Sequence, residues 1–217
     1  EKRFSKKVNR RFSIAVSNGT AALEIAIKAL GIKKGDEVII PNFTIISNAI
    51  SVIKQNAKPV LVDCDINSWN VKIEDIQKKI TKKTKALMIT HIYSFANDMD
   101  KILKICKKNN IFLIEDAAEV LGLKYKNRPC GSFGDLSTFS FYANKHVTTG
   151  EGGMILTNDK EAYDWFKVAR YEGRHIDKLY KDDAFDMIGW NMYMTPEQAA
   201  IGLELFKDVQ DFNEDLE

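Results

Sequence analysis

Long apolar runs are missing from this chain: none approaches the roughly 20 residues that a bilayer-spanning helix needs, so no transmembrane segment is expected. A secretory leader is not expected either, because the opening EKRFSKKVNRRF is basic but no apolar stretch follows it. Cysteine is scarce. The three present, Cys64, Cys106 and Cys130, form no CxxC pair and no Cys/His cluster, which argues against a zinc site and predicts no bound metal. An odd number of scattered cysteines suits a reducing compartment better than a disulfide framework, and a cytoplasmic location is expected. An excess of one charge is also lacking: 32 Lys and Arg against 30 Asp and Glu leave a net charge of +2, so neither nucleic acid nor a membrane surface is an expected partner. No internal repeat or low-complexity tract interrupts the chain.

What is there is an ordinary globular mixture, 45% hydrophobic and 29% charged over 217 residues, enough for one large domain. Short apolar runs occur at Val38–Ile40 before Pro41, Pro59–Asp63, Ala86–Thr90 and Ile111–Asp116. Such continuous runs suit strands buried on both faces. Helix-length stretches lie between them. AALEIAIKAL ends at Gly31, and Asp98 opens DMDKILKICKKNN with acid at its start and lysines at its end, matching the helix macrodipole. This alternation predicts an α/β domain with a mostly parallel sheet flanked by helices. Further on, GEGGMILT reads as a turn and a short strand, and a charged helix is expected around Glu161–Tyr171. Residues Gly173–Asp186 read as a surface loop. A last helix starts at Thr195 as N-cap, with Pro196 at its first position.

Four segments carry groups suited to chemistry. In SNGTAAL, Ser17–Leu23, a Gly-Thr pair at a helix mouth would offer free backbone N–H groups and a hydroxyl to an anion; a plain helix start capped by threonine fits the same residues. In IEDAAEVLG, Asp116 ends an apolar run. A carboxylate at the carboxyl end of a strand can hold a cationic ring nitrogen protonated, or it can simply cap a helix. In FGDLSTFSFYANKHVTTGEGGM, Lys145 follows an aromatic run and precedes a Thr- and Gly-rich turn. A lysine there can serve as a nucleophilic amine, and Ser140, five residues earlier, can donate to a phosphate; a solvated surface lysine is the plain alternative. In GWNMYMTPEQAAIG, Asn191 and Tyr193 stand just before a helix, as phosphate ligands or as part of a capped helix entry.

Taken in order, SNGTAAL, GDEVIIPNFTIISNA, PVLVDCD, HIYSFANDMDKI, IEDAAEVLG, GSFGDLSTFSFYANKHVTTGEGGM and GWNMYMTPEQAAIGL resemble the sugar aminotransferases of the DegT/DnrJ type. These are pyridoxal-phosphate (PLP) enzymes with an aspartate-aminotransferase-like, fold-type I architecture. The resemblance runs from about Phe12 to Phe206, and the block around Lys145 is similar to enzymes of the perosamine-synthase type, which aminate a 4-keto-6-deoxy sugar nucleotide. It implies that Lys145 is the Schiff-base lysine and proton shuttle, and that Asp116 pairs with the pyridine nitrogen. Glu119 would stand near the cofactor's phenolic oxygen. Gly19, Thr20 and Ser140 would bind the phosphate, with Asn191 reaching the phosphate of a neighbouring subunit in a homodimer with shared sites. Glutamate would be the amino donor and a keto sugar nucleotide the acceptor, in amino-sugar biosynthesis for a surface polysaccharide or glycan.

The chain departs from the pattern in places. Ile45 stands where relatives carry an aromatic residue on the cofactor ring, which forgoes a stacking contribution of about 0.5–1.5 kcal/mol. Met192 separates Asn191 from Tyr193 where the family has Asn-Tyr-Arg. Relatives also begin further upstream and continue into a smaller C-terminal domain. The resemblance therefore implies an N-terminally shortened PLP-binding domain over residues 1–206, the start of a C-terminal segment over 207–217, and no small domain. Two alternatives stay open. One is a sugar 3-dehydratase of the same fold, whose members carry histidine in place of the lysine; His146 is adjacent to Lys145. The other is a shortened, non-catalytic remnant.

Overall fold

The computed structural model describes residues 1–175 and 184–209. A seven-stranded sheet runs in the order β1 (Phe12–Val16), β9 (Gly153–Thr157), β8 (Leu136–Ser140), β5 (Phe112–Asp116), β4 (Thr84–Thr90), β2 (Glu37–Pro41), β3 (Lys58–Val62). Strands β3, β2, β4, β5 and β8 pair in parallel, while β9 is antiparallel to both β8 and β1. The sheet is thus mostly parallel, as expected. A two-stranded hairpin, β6 (Lys124–Tyr125) and β7 (Arg128–Pro129), stands apart.

Helices cover both faces. Helix α4 (Ile73–Lys79) and α5 (Met99–Asn109) pack Ile76, Met99, Ile102 and Ile105 on Ile39, Leu87 and Leu113. On the other face, α2 (Gly19–Ala29), α3 (Ser47–Ile53) and α6 (Lys160–Ala169) meet the sheet through Leu23, Ile27, Val52 and Phe166. Helix α1 (Lys2–Lys7) and α7 (Pro196–Asp208) close the β8–β9 end with Phe4 and Phe206 against Phe139 and Phe141.

Local sequence explains several ends. Asp98 accepts the Lys101 N–H, and α5 stops at Asn110, which takes the left-handed conformation (φ 51°) that asparagine tolerates. Thr195 and Gln198 form a reciprocal capping box at the start of α7, with Pro196 inside it. One expectation needs correction. Strand β3 is not buried on both faces: it lies at the sheet edge, and Leu61 is 50% exposed. The basic opening, for which no element was expected, forms α1 over Lys2–Lys7 and buries Phe4. The expected surface loop is described only at its ends, where the Asp186 N–H bonds the Gly173 carbonyl at 2.9 Å. Residues 176–183 of that loop, and 210–217 of the expected C-terminal segment, lie outside the described residues.

Candidate active site

Strands alternate their side chains between faces, and on β5 this separates two adjacent carboxylates. Asp116 and Ile114 point to the α2/α3 side, Glu115 and Leu113 to the α4/α5 side. A cavity of ≈ 810 Å³ opens on the Asp116 side, outside the carboxyl ends of β4, β5 and β8 and beside the N-terminus of α2. That is the usual ligand position in an open parallel sheet. Of the site residues expected from the sequence, Gly19, Thr20, Ile45, Asp116, Glu119, Ser140, Lys145 and Asn191 line this cavity, and Tyr193 does not.

One end of the cavity is built for an anion. The first N–H groups of α2 have no partner inside the helix. Asn18, not Thr20, is its cap, accepting the Ala21 N–H at 2.8 Å; the Thr20 hydroxyl pairs instead with Ser47 Oγ at 2.8 Å. Gly19 lets β8 approach closely, since a Cβ there would sit 2.9 Å from Ser140 Cβ. Ser140 Oγ accepts the Tyr142 N–H at 3.3 Å, which leaves its own proton to give. Asn191 lies in a segment tied to this end by the Ser17 N–H to Met192 carbonyl bond, 2.9 Å. Asn191, expected at a neighbouring subunit's phosphate, lines the cavity of its own chain. Tyr193 packs on Tyr171 and is not among the lining residues.

The centre holds the titratable groups. Lys145 Nζ stands 3.2 Å from Glu119 Oε1, and Glu119 Oε2 accepts the Tyr93 N–H at 3.0 Å. Lys145 belongs to a loop folded back on itself by the Lys145 N–H to Tyr142 carbonyl bond, 3.0 Å, and pinned to α7 by Gln198 Nε2 on the Glu151 carbonyl, 2.9 Å. His146 is exposed and does not line the cavity, so a one-residue shift that would put histidine in the lysine's place is not what the fold builds. Asp116 is buried. Its carboxyl accepts the Ala118 N–H at 3.2 Å and begins a turn rather than a helix, which removes the N-cap reading. Burial pushes it up to about 6, against the downward pull of the Ala118 N–H, the Asn48 amide and the Lys145 charge. Ile45 stands open at the mouth, 61% exposed.

These groups suit PLP. A helix N-terminus with a serine hydroxyl fits a phosphate, a buried carboxylate fits a cationic ring nitrogen, and an inward lysine fits an aldehyde. Thr138 Oγ1 is fully buried without a partner, and Thr138 lines the cavity directly across from Asp116 in the β5–β8 register. An unpartnered hydroxyl in such a wall calls for a polar occupant.

Sequence reasoning missed the support behind the site. On the far face, Glu115 Oε1 meets His91 Nε2 at 3.0 Å and the Gly131 N–H, while Oε2 accepts from Phe133 and Gly134 at 2.8 and 3.0 Å. Burial raises the Glu115 carboxyl, but these partners outweigh it and leave it below the usual range. His91 Nδ1 accepts the Asn97 N–H at 3.1 Å, so the ring's proton sits on Nε2, facing Glu115. Arg10 closes the cluster through the Gly131 and Gly134 carbonyls. The signal was the doublet Glu115–Asp116 at a strand end, where one carboxylate must face away from the other.

Comparison with known proteins bears on the family and the fold. The GDP-perosamine synthase of Escherichia coli O157:H7 is 44% identical over 212 residues, covering 98% of this chain and 57% of that enzyme. An aminotransferase from Psychrobacter cryohalolentis has a structure matching at a TM-score of 0.91 with 35% identity, over 97% of this chain and 55% of that one. The E. coli GDP-4-keto-6-deoxy-D-mannose-3-dehydratase, solved with bound hydrated PLP, matches at 0.91 with 30% identity, over 98% and 60%. The chain spans a little over half the length of the GDP-perosamine synthases it matches. The model of the DegT/DnrJ/EryC1/StrS aminotransferase family matches residues 1–216, and the chain belongs to that family.

Proposed function

We propose that the protein uses PLP to transfer an amino group from glutamate to a keto sugar nucleotide, in the first instance a 4-keto-6-deoxy sugar, in amino-sugar biosynthesis for a surface polysaccharide or glycan. The observation that carries this is Lys145 Nζ, held inside the cavity against Glu119 at the end of the sheet where Asp116 is buried. The GDP-perosamine synthases among the relatives support the substrate class. Residues 1–206 act in this reading as the PLP-binding domain, the unit is a homodimer with shared sites, and three free cysteines suit a cytoplasmic location.

PLP supplies an aldehyde that condenses with amines and a ring that draws negative charge from the carbon beside the nitrogen. The chain's residues do the rest. Gly19 and Thr20 N–H groups, the Ser140 hydroxyl and Asn191 bind the phosphate, and Ile45 presses on the ring. Asp116 keeps the ring nitrogen protonated, since an opposite charge favours the cation. Lys145 Nζ anchors the cofactor and then, as a free amine, carries the proton at the reacting carbon. Glu119 holds Lys145 in place between these tasks.

The test is a series of absorption spectra: with PLP, then glutamate, then keto sugar nucleotides. A visible band should form, bleach with glutamate and return with the acceptor, and the product should carry nitrogen in place of the keto oxygen. A product that has lost its 3-hydroxyl and gained no nitrogen would establish the dehydratase reading instead.

A further inference from the structure

The cavity is short of positive charge for the reaction proposed above. Among the described residues, its charged lining is Glu24, Asp116, Glu119 and Glu151 against Lys54 and Lys145. The cofactor's phosphate, glutamate and a sugar nucleotide are all anions. The α2 N-terminus suits one phosphate. Lys145 is paired with Glu119 at 3.2 Å and committed to the aldehyde. Lys54, the C-cap residue of α3, is the other cation in the lining.

Lys54 is free to move, and its partner is not. Lys54 Nζ lies 2.5 Å from Glu24 Oε1, but the lysine side chain is 55% exposed and the glutamate side chain 7%. Glu24 sits among the buried residues of α2, where a carboxylate is costly without a partner. With the carboxylate fixed by packing, the flexible stem of the lysine can swing its ammonium to a second anion. Position decides which anion. Helices α2 and α3 meet beside the phosphate end, where Thr20 Oγ1 is 2.8 Å from Ser47 Oγ. Glu24 lies four residues, about 6 Å, further along α2. Lys145 follows β8, whereas α3 packs on β2 and β3. In the sheet order β8-β5-β4-β2, strand β2 is three steps from β8, about 14 Å at the usual spacing. The carboxylates of glutamate lie only a few bonds from the reacting nitrogen. The diphosphate of a sugar nucleotide is held off from the reacting carbon by the hexose ring, so a remote cation suits the diphosphate.

We propose that Lys54 is a specificity-determining residue that binds the diphosphate of the acceptor's nucleotide, and that Glu24 aligns it along the α2/α3 groove and competes for it. The proposal rests on reading the cavity as the site of a sugar-nucleotide aminotransferase. It explains why a carboxylate stands between the buried Leu23 and Ile25 of α2, beside a lysine that lines the same cavity.

The first readout is calorimetric binding of GDP, the nucleotide in the names of the synthases among the relatives, with and without PLP. Lys54→Met should weaken GDP binding about tenfold, the usual worth of a contact to a charged group. Lys54→Arg should restore most of the loss. Glu24→Gln should tighten GDP binding by about threefold, because the amide no longer competes for the ammonium. Guanosine, which lacks the diphosphate, should bind the parent protein and all the variants alike. The second readout is the glutamate concentration that bleaches the PLP band, which should not move in Lys54→Met. Opposite signs for the two halves of one ion pair are what a purely structural clasp does not produce. If Lys54→Met and Glu24→Gln weaken GDP by the same factor, the pair only joins two helices and the proposal is overturned. GDP binding untouched by Lys54→Met, or a parent protein that binds no GDP, overturns it as well. A change confined to the glutamate requirement would overturn it by assigning Lys54 to the donor's carboxylate. If Lys54 governs GDP affinity in a parent protein that takes up no PLP, the aminotransferase reading fails and the diphosphate subsite stands.

Discussion

Asp116 and Glu115 are adjacent, both buried, and opposite in their response to pH. The Glu115 carboxyl is held below its ordinary value, so its contribution to stability is present above the unfolded value and is lost as pH falls through the folded one. The Asp116 carboxyl is raised from 3.8 to about 6, so its contribution is present below the unfolded value and is lost as pH rises through about 6. A rise of some two units corresponds to about 2–3 kcal/mol. Asp116→Asn should therefore stabilise the cofactor-free protein in urea at pH 8 by up to about that amount, with the gain fading toward pH 4. The same variant should lose most transamination, because a neutral amide cannot hold a ring nitrogen protonated. A variant less stable than its parent at pH 8, or one with near-normal turnover, would count against this account. Lys145 allows a sharper test. Lys145→Ala should abolish turnover while leaving non-covalent PLP uptake, and borohydride reduction of the parent protein followed by peptide mapping should mark Lys145. A pyridoxyl group on any other lysine sinks the assignment.

At the level of elements, the phosphate end depends on how closely β8 approaches α2. Gly19→Ala would place a Cβ 2.9 Å from Ser140 Cβ, between a helix start and a strand end that each belong to the core. The expected result is a loss of about 1–3 kcal/mol in stability, as for other overpacked sites, together with PLP affinity at least tenfold weaker. Unchanged affinity by equilibrium dialysis would remove Gly19 from the cradle. The elements that were legible in the sequence are those whose local signals agree with their burial. Strands β2, β4 and β5 are apolar on both faces and lie inside the sheet, and α5 and α7 carry their own caps. Strand β3 is as apolar as these, yet it lies at the edge, because position in the sheet is set by pairing, which a single strand's composition does not encode. Helix α3 was illegible for the reverse reason. Its isoleucines face out and its asparagine faces in, so the hydrophobic pattern points the wrong way until Thr90 is seen to accept from the Asn48 amide. The lining residues proposed to hold the cofactor could be read because most are polar, ionisable or glycine residues at a strand end, a helix start or a turn. The buried polar residues behind them come from separate segments, Asn48 from α3, Thr90 and His91 from the end of β4 and Glu115 from β5, and meet only in the fold.

For the whole molecule, the mouth of the cavity raises the question of what covers it. Ile45, Ile46, Ile50 and Ile53 are all substantially exposed, running from the loop after β2 along the outer face of α3. Apolar residues clustered in this way mark an interaction surface more often than an accident of composition. The patch is continuous with the site through Ile45, which lines the cavity. If a second copy of the chain covers it, association and cofactor binding are linked, and each must strengthen the other by the same factor. Sedimentation should then show a dimer whose population rises when PLP is added, and PLP affinity should increase with protein concentration. Ile53→Glu places a charge on the patch at the end of α3 farthest from Ile45. It should shift the protein toward monomer and weaken PLP binding, with the weakening recovered at high protein concentration. A monomer that binds PLP fully at every concentration, or an Ile53→Glu variant indistinguishable from the parent protein in both measurements, would mean that this surface does not join two subunits and that each chain completes its site alone.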